Sequence, residues 1–279
     1  MTTSAANGAK AEAGDRVERT HDSLLRDVFG FVGTGWRTLV ALGPLVVVYA
    51  LCSAALPWLV FKVWGVQSGA VLFVARILEW VPTLMLAYIV YRSCKSLLAA
   101  GDPRPHDGFG EVLAGILICL AAICAVYGVA EKFFDPVATF LSRSIIRGDI
   151  MAMFFFPFEP LTYCLAIALV FSLAGPLVVA CLAGRMGSVW DAVHLSKTRF
   201  GWTAGRLLVV LAGVPIVWYL SFWAVASGLD GSLSSFQRMQ FGRVFNGARY
   251  VAEAFALLLG AAVVVQAYVR AQVEPDMKT

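Results

Sequence analysis

Charged side chains are scarce in this sequence. Only 14% of its 279 residues are Asp, Glu, Lys or Arg, whereas 59% are hydrophobic, and the mean hydropathy is +0.77. Water-soluble domains carry roughly a quarter charged residues, so this composition excludes an ordinary soluble domain. The chain needs lipid as its solvent, and we expect an integral membrane protein.

Residues that could form a metal or catalytic centre are also few. The three histidines, His21, His106 and His194, are far apart, and the six cysteines contain no CxxC pair. Glycine-rich phosphate loops, paired catalytic carboxylates and Ser/His/Asp arrangements are missing as well. We therefore predict no metal, no cofactor and no catalytic residues, and we expect the cysteines to be small core residues.

Long uncharged runs alternate with short polar connections. At about 1.5 Å per residue, each run is long enough to cross a hydrocarbon core about 30 Å thick. The predicted fold class is all-α, a membrane bundle of six transmembrane helices with spans at residues 38–61, 71–91, 112–130, 161–184, 207–226 and 250–268. The membrane domain is 22–270, between a disordered tail at 1–21 and a short polar tail at 271–279.

Two segments have the amphipathic pattern of a helix that lies in the membrane interface. In the first, apolar residues recur at helical spacing between positions 25 and 36, with Arg26 and Asp27 turned away from them. The second runs from Ser188 to Arg206, directly before the fifth span. We expect both to be interfacial helices on the cytoplasmic face of the bundle.

The distribution of basic residues predicts the orientation. Six spans place both termini on one side, and that side carries about twice as many Lys and Arg residues as the other, as cytoplasmic sides do. Both termini are therefore expected in the cytoplasm. The net charge of +4 follows from this topology, and the chain has no concentrated basic face for nucleic acid. The expected surroundings are the lipid bilayer, with another membrane protein as a possible partner.

Three charged residues fall within the predicted spans or at their edges, namely Arg76, Glu79 and Glu253. Glu79 lies about 10 Å inside the hydrocarbon if the second span ends at Arg92, too deep for its short side chain to reach water. It is then protonated, paired with Arg76 one turn away, or exposed to an aqueous cavity between spans. Glu253 is close to the end of its span and can reach the headgroups.

The two segments that begin with interfacial helices resemble each other. An apolar run from Arg37 to Gly43-Pro44 matches one from Arg206 to Gly213-Val214-Pro215. The span that follows each run opens with a base and an acid, Arg76/Glu79 and Arg249/Glu253, and closes near Arg92 and Arg270. A parallel internal repeat explains this match, and chance similarity between hydrophobic segments explains it equally well.

The second interfacial segment carries a spaced pattern of Ala192, Ser196, Gly201 and Arg206 at the start of a span. It resembles the signature of a loose group of bacterial six-span proteins, which includes the membrane domain attached to some glycerophosphodiester phosphodiesterases and related uncharacterised inner-membrane proteins. Lys197 stands where the signature has tryptophan, and the glycine is displaced by one position. The resemblance implies a multi-pass protein of the bacterial inner membrane without catalytic residues.

Three functional classes remain at this stage. The leading expectation is a non-enzymatic inner-membrane scaffold or partner subunit in envelope or lipid-related processes. The alternative is a small transporter or permease subunit in which Glu79 lines a path. A membrane-embedded lipid enzyme is disfavoured because no polar cluster suited to catalysis is evident at the predicted interface.

Overall fold

A computed structural model describes residues 26–63, 69–99, 108–134, 136, 151–184, 189–228 and 235–273. Within these ranges the chain is helical apart from short turns and contains no strand. The helices are α1 (Arg26–Ala41), α2 (Gly43–Val63), α3 (Gly69–Ala99), α4 (Phe109–Val129), α5 (Met151–Leu182), α6 (Val189–Gly228) and α7 (Ser235–Val273). A π-helical turn, Ala130–Phe134, extends α4. The predicted tail 1–21 and residues 274–279 lie outside the described residues.

The all-α prediction is confirmed for the residues that the structure describes. Five helical stretches are long and apolar enough to cross a membrane: Gly69–Ala99, Phe109–Phe134, Leu161–Leu182, Phe200–Trp218 and Ala248–Arg270. A sixth crossing results if α1 and the first part of α2 count together as one broken span. That α1 and the start of α6 lie on a membrane surface stays a prediction.

The first predicted span, 38–61, is divided by a sharp bend. α1 and α2 meet at Leu42 with an angle of 77°. The first residues of the predicted span, 38–41, therefore form the last turn of α1. Pro44 accounts for the break, because it has no amide hydrogen and its ring excludes a helical bond to the carbonyl of Val40. The uncharged run is therefore continuous in sequence but not as a straight helix.

The second predicted interfacial segment and the fifth predicted span form a single helix. α6 continues through Arg206 and Pro215 without interruption, and it is 40 residues long. At about 1.5 Å per residue it measures about 60 Å, twice the hydrocarbon thickness. The boundary that the sequence indicates at Arg206 is therefore a change in polarity along one helix.

α7 is the central helix of the bundle. It packs against α2, α3, α5 and α6, and 72% of its apolar stretch is buried, compared with 19% for α3. Glycines on α5 and α7 bring these two helices together: a Cβ added at Gly175 would lie 2.6 Å from Cγ1 of Val264. A side chain at this position would push the helices apart, since such close approach requires the smallest residue.

α1 lies alongside α7. At one end Asp27 bonds to Arg270, and further along Trp36 packs edge-on against Phe255, with 6.4 Å between ring centroids. The stretch of α7 between these contacts is about 22 Å long. The chain therefore enters and leaves the described bundle at the same end, which we call the Asp27 end.

α1 has two apolar sides. Phe31 is 3% exposed and belongs to the core, whereas Phe29 and Trp36, from the side predicted to face the membrane, are 73% and 59% exposed. The exposed side is free to contact lipid, and the buried side holds α1 against the bundle. Asp27 is thereby positioned beside α6 and α7.

Candidate functional site

Arg206 and Glu253, two residues selected from the sequence, belong to separate clusters. Arg206 contacts Asp27, which also contacts Arg270 near the C-terminal end of α7. Glu253 lies about 25 Å before Arg270 along the same helix. We call the first group, Asp27, Trp202, Arg206 and Arg270, the Asp27 cluster, and the second, Glu253 with Arg249 and Tyr250, the Glu253 cluster.

Asp27 bridges two arginines from distant parts of the chain. Its Oδ2 accepts hydrogen bonds from Nε and Nη2 of Arg206, at 3.0 and 2.8 Å, and from Nη1 of Arg270 at 3.2 Å. Its Oδ1 accepts a further bond from Nη2 of Arg270 at 3.0 Å. The side chains of Asp27 and Arg206 are only 13% and 11% exposed. One carboxylate thus joins the start of α1 to α6 and α7.

Trp202 completes the Asp27 cluster. The Arg206 guanidinium lies 4.0 Å from the centroid of its ring, and that of Arg270 lies 5.3 Å from it. Trp202 precedes Arg206 by one helical turn, a spacing that places both on one face of α6. The negative face of the indole attracts both cations, so it offsets part of their mutual repulsion.

The two guanidinium groups also set the protonation of Asp27, which lies outside the six predicted spans. Burial alone raises the pKa of a carboxyl group, but hydrogen bonds and charge from Arg270 and Arg206 outweigh it. The net result is a pKa of Asp27 below its ordinary value of 3.8. Asp27 is therefore ionised at neutral pH, and the cluster carries one more positive charge than negative.

A cavity of about 780 Å³ adjoins the Asp27 cluster. It lies between α1, α3 and α7, and its lining is polar near the Asp27 end and mostly apolar elsewhere. The lining residues are Arg26, Asp27, Gly30, Phe31, Thr34, Leu97, Ala262, Val265, Gln266, Val269 and Arg270. Its size is that of a pocket for a small organic molecule.

Glu253 is buried near the opposite end of α7. Its Oε1 accepts a hydrogen bond from Nε of Arg249 at 2.9 Å, and the two side chains are 8% and 27% exposed respectively. The guanidinium of Arg249 also lies 6.0 Å from the ring centroid of Tyr250. The pair is four residues apart on one helix, so it neutralises a buried acid locally.

Tyrosines from four helices surround the Glu253 cluster. Tyr250 of α7 meets Tyr49 of α2 edge-on, with 6.1 Å between ring centroids, and Tyr127 of α4 packs against Tyr163 of α5 at 5.4 Å. Tyr49, Tyr127 and Tyr163 lie within range of the charge of Glu253. Tyr49, Tyr127 and Tyr163 were not predicted to form a site, although a tyrosine within an uncharged run is itself a signal of a polar contact inside a bundle.

Glu79 is exposed on α3. It lies one turn after Ala75, which is 3% exposed, and therefore on the same side of the helix. Arg76 is on the same helix, but its side chain is outside the described residues. A pairing of these two charges accordingly stays a prediction.

The pattern that carries the family resemblance contributes one residue to a described site. Arg206 belongs to the Asp27 cluster, whereas Gly201 is exposed, with nothing near the position of a Cβ. Ala192 and Ser196 lie on α6, and their side chains are outside the described residues. The other charged residues of the cluster, Asp27 and Arg270, are far from Arg206 in sequence. The spaced pattern therefore did not predict them.

No group of three His, Cys, Asp or Glu side chains suited to a metal occurs among the described residues. All six cysteines are free thiols, and Cys94, Cys119 and Cys164 are buried. Glu253, which is buried, and Asp27, which is partly buried, are instead bonded to arginines. Their geometry fixes helices and neutralises charge within the described part of the chain.

Comparison with known proteins adds no relative. The chain matches no protein-family model, no curated protein and no solved structure. The resemblance to the membrane domain of glycerophosphodiester phosphodiesterases stays a prediction.

Proposed function

We propose that this chain is a non-enzymatic, multi-pass scaffold or partner subunit of the bacterial inner membrane that acts in envelope or lipid-related processes. The proposal depends on one observation: the described part of the chain supports the first half of α3 on a single side. Asp27, which is partly buried, and Glu253, which is buried, support a non-enzymatic function because both are bonded to arginines.

The two halves of α3 differ sharply in burial. From Leu86 to Cys94 the helix packs into the core, with Leu86 and Ala87 fully buried. Among the described side chains of the first half only Ala75 is buried, whereas the exposed large apolar residues are Phe73, Val74, Ile77, Leu78, Trp80 and Leu84. At 100° per residue these six cover an arc of about 160°. α4 shows a narrower stripe with Leu113 and Leu117.

A wide apolar arc on a weakly supported helix is suited to packing against a second membrane helix. Lipid can cover such an arc, but a partner helix adds the van der Waals contacts that drive association inside a bilayer. Trp80 and Phe73 provide large flat surfaces for this packing. We therefore assign the partner contact to the first half of α3.

The orientation is part of the proposal. The Asp27 end holds the described arginines Arg26, Arg206 and Arg270 together with the first and last described helices. An excess of basic residues is typical of the cytoplasmic side. Both termini would then be cytoplasmic, and the Glu253 cluster would lie towards the periplasm.

The test is site-specific photocrosslinking in native membranes. A photoreactive residue at Phe73 or Trp80 is expected to recover one dominant membrane protein, whereas the same residue at Leu117, which is similarly exposed on α4, recovers lipid. Recovery of lipid alone from all three positions would overturn the partner assignment. The partner's yield should fall when Trp80 is crosslinked in a Phe73→Ser background, and it should not change in a Leu117→Ser background.

The alternative, a transporter subunit with Glu79 lining a path, is distinguished by a second measurement. Glu79→Gln removes the charge and keeps the shape of the side chain. The scaffold proposal expects solute uptake by reconstituted vesicles to be the same for this variant and for Glu111→Gln, a control at another exposed acid. Loss of uptake in Glu79→Gln alone would replace the scaffold with the transporter.

A further inference from the structure

We propose that the cavity between α1, α3 and α7 binds the phosphate headgroup of an anionic phospholipid, with Arg26 and Arg270 as its cationic contacts. The proposal goes beyond the scaffold function, because lipid binding at this cavity requires no partner protein. It concerns the opposite end of α3 from the partner contact. It follows from the charge, the shape and the position of the cavity.

The charge of the cavity is positive at its polar end. Asp27 is the acid in its lining, and both oxygens of that carboxylate already accept bonds from Arg206 and Arg270. Arg26 lines the same cavity and is exposed, so three arginines accompany one aspartate. The excess positive charge matches a phosphate that carries one or more negative charges.

Arg270 has donors left for a ligand. A guanidinium carries five N–H groups, and the bonds from Arg270 to Asp27 use one on Nη1 and one on Nη2. Its side chain is 38% exposed, compared with 11% for Arg206. Asp27 and Trp202 hold the guanidinium in place, so it presents its remaining donors to the cavity without a large loss of side-chain freedom.

The shape of the cavity favours a lipid over a free phosphate ion. Away from the arginines its wall is formed by apolar side chains such as Phe31, Val265 and Val269, with Gln266 between them. About 780 Å³ is far more than a phosphate ion fills. An acyl chain can cover this wall and gain hydrophobic stabilisation, which an inorganic ion cannot.

The cavity lies where a headgroup would be. It extends to the Asp27 end, because Arg26 and Asp27 of α1 and Val269 and Arg270 of α7 are among its lining residues. Trp202 lies beside it, and tryptophan is enriched at the headgroup level of membranes. A phospholipid in the adjoining leaflet can therefore place its phosphate at the arginines while its chains stay in the hydrocarbon.

Native mass spectrometry of the purified full-length chain, titrated with phosphatidylglycerol or with phosphatidylcholine, tests the proposal. The wild type is expected to bind phosphatidylglycerol more tightly. Arg26→Gln should weaken that binding about fivefold, as loss of one basic contact to an anionic lipid does. Arg92→Gln, at an exposed arginine of α3 outside the cavity, should leave it unchanged.

A second pair of variants tests the cavity itself. Gly30 lines the cavity and Gly33 does not, and a Cβ at either position meets nothing within 4 Å. Gly30→Phe should therefore fold and block lipid binding, whereas Gly33→Phe should fold and bind as the wild type does. Circular dichroism confirms that each variant is helical before binding is measured.

Three outcomes would overturn the proposal. The first is equal binding of phosphatidylglycerol and phosphatidylcholine by the wild type. The second is unchanged binding in both Arg26→Gln and Gly30→Phe. The third is complete displacement of the lipid by inorganic phosphate at an equal concentration, which would make the free ion the ligand. None of these outcomes bears on the α3 crosslinks, so failure here and failure of the scaffold proposal are distinguishable.

Discussion

Two ion pairs lie at opposite ends of the apolar stretch of α7. Near the C-terminal end Arg270 bonds to Asp27, the second residue of α1. Near the start of the stretch Arg249 bonds to Glu253, one helical turn further along the same helix. The first arrangement closes a contact across nearly the whole sequence and includes a third helix through Arg206. The second bond joins two residues of the same helix. In both ion pairs the carboxylate is less than 15% exposed and lies beside an arginine. The two pairs nevertheless make different contributions to the fold.

The difference lies in what each pair holds together. Removal of Asp27 would leave Arg206 and Arg270 facing each other without the acid between them, and α1 would lose its polar contact with both helices. Removal of Glu253 would leave Arg249, whose side chain is 27% exposed and can extend towards water. The Asp27 end is therefore expected to be the more sensitive of the two.

The largest effect is predicted for Asp27→Asn. This change should lower the free energy of unfolding by about 2 kcal/mol, between the costs of breaking an exposed and a fully buried ion pair, because Asp27 is partly buried. Unfolding in mixed micelles, followed by circular dichroism, measures it. Glu111→Gln, at an exposed acid in the first turn of α4, is the matched control and should cost little.

A double-mutant cycle sharpens this prediction. Because Arg270 bonds to Asp27 twice, combining Asp27→Asn with Arg270→Gln should cost clearly less than the sum of the two single changes. Additive costs would mean that the bridge contributes no coupling, and the contrast between the two ends of α7 would disappear.

Local sequence signals predicted the helices but not the bend. The apolar stretches of the helices could be predicted because the hydrophobicity of an uncharged run depends only on its own residues. Pro44 interrupts its run, yet Pro82 and Pro215 lie inside continuous helices. Proline alone does not decide between a break and a tolerated kink, because neighbouring helices can satisfy the freed backbone groups. Residues 38–61 were consequently predicted to form one span.

The Asp27 bridge could not be predicted from spacing. Its arginines follow Asp27 by 179 and 243 positions, and Asp27 was expected to turn away from the apolar residues of its own helix. Only the packing of Phe31 against the core makes Asp27 an inward-facing residue. By contrast, the pair of Arg249 and Glu253 follows the four-residue spacing of a helix and was visible as a base followed by an acid.

The proposed internal repeat fails to place equivalent arginines in equivalent surroundings. Arg206 and Arg270 meet at Asp27, whereas their counterparts in the repeat, Arg37 and Arg92, are both exposed. The helices differ as well, since α1 and α2 are separated by a bend and α6 is continuous. Similar hydrophobic runs therefore have different structural roles in the two halves.

A smaller effect is predicted for Glu253→Gln. The free energy of unfolding should fall by about 1 kcal/mol, because glutamine keeps a hydrogen-bond acceptor for Arg249 in place of the carboxylate. The same unfolding measurement, run beside Asp27→Asn, gives the comparison directly. A loss as large as that of Asp27→Asn would show that the tyrosines around Glu253 depend on its charge and would make the two ends equivalent.

The smallest effect is a pH dependence that belongs to the Asp27 end. The pKa of Asp27 is lower in the folded chain than its ordinary value of 3.8, so its contribution to stability is fully present at neutral pH. That contribution begins to fall near the ordinary pKa and is lost as pH decreases through the folded one. Between neutral pH and about pH 4 only a small part should disappear. We therefore measure the unfolding free energies of the wild type and of Asp27→Asn across this pH range. The difference between them should become smaller only near the most acidic pH of the range. If the difference instead grew as the pH fell, Asp27 would be more stable as the neutral acid, and the two arginines could not be the cause of its position.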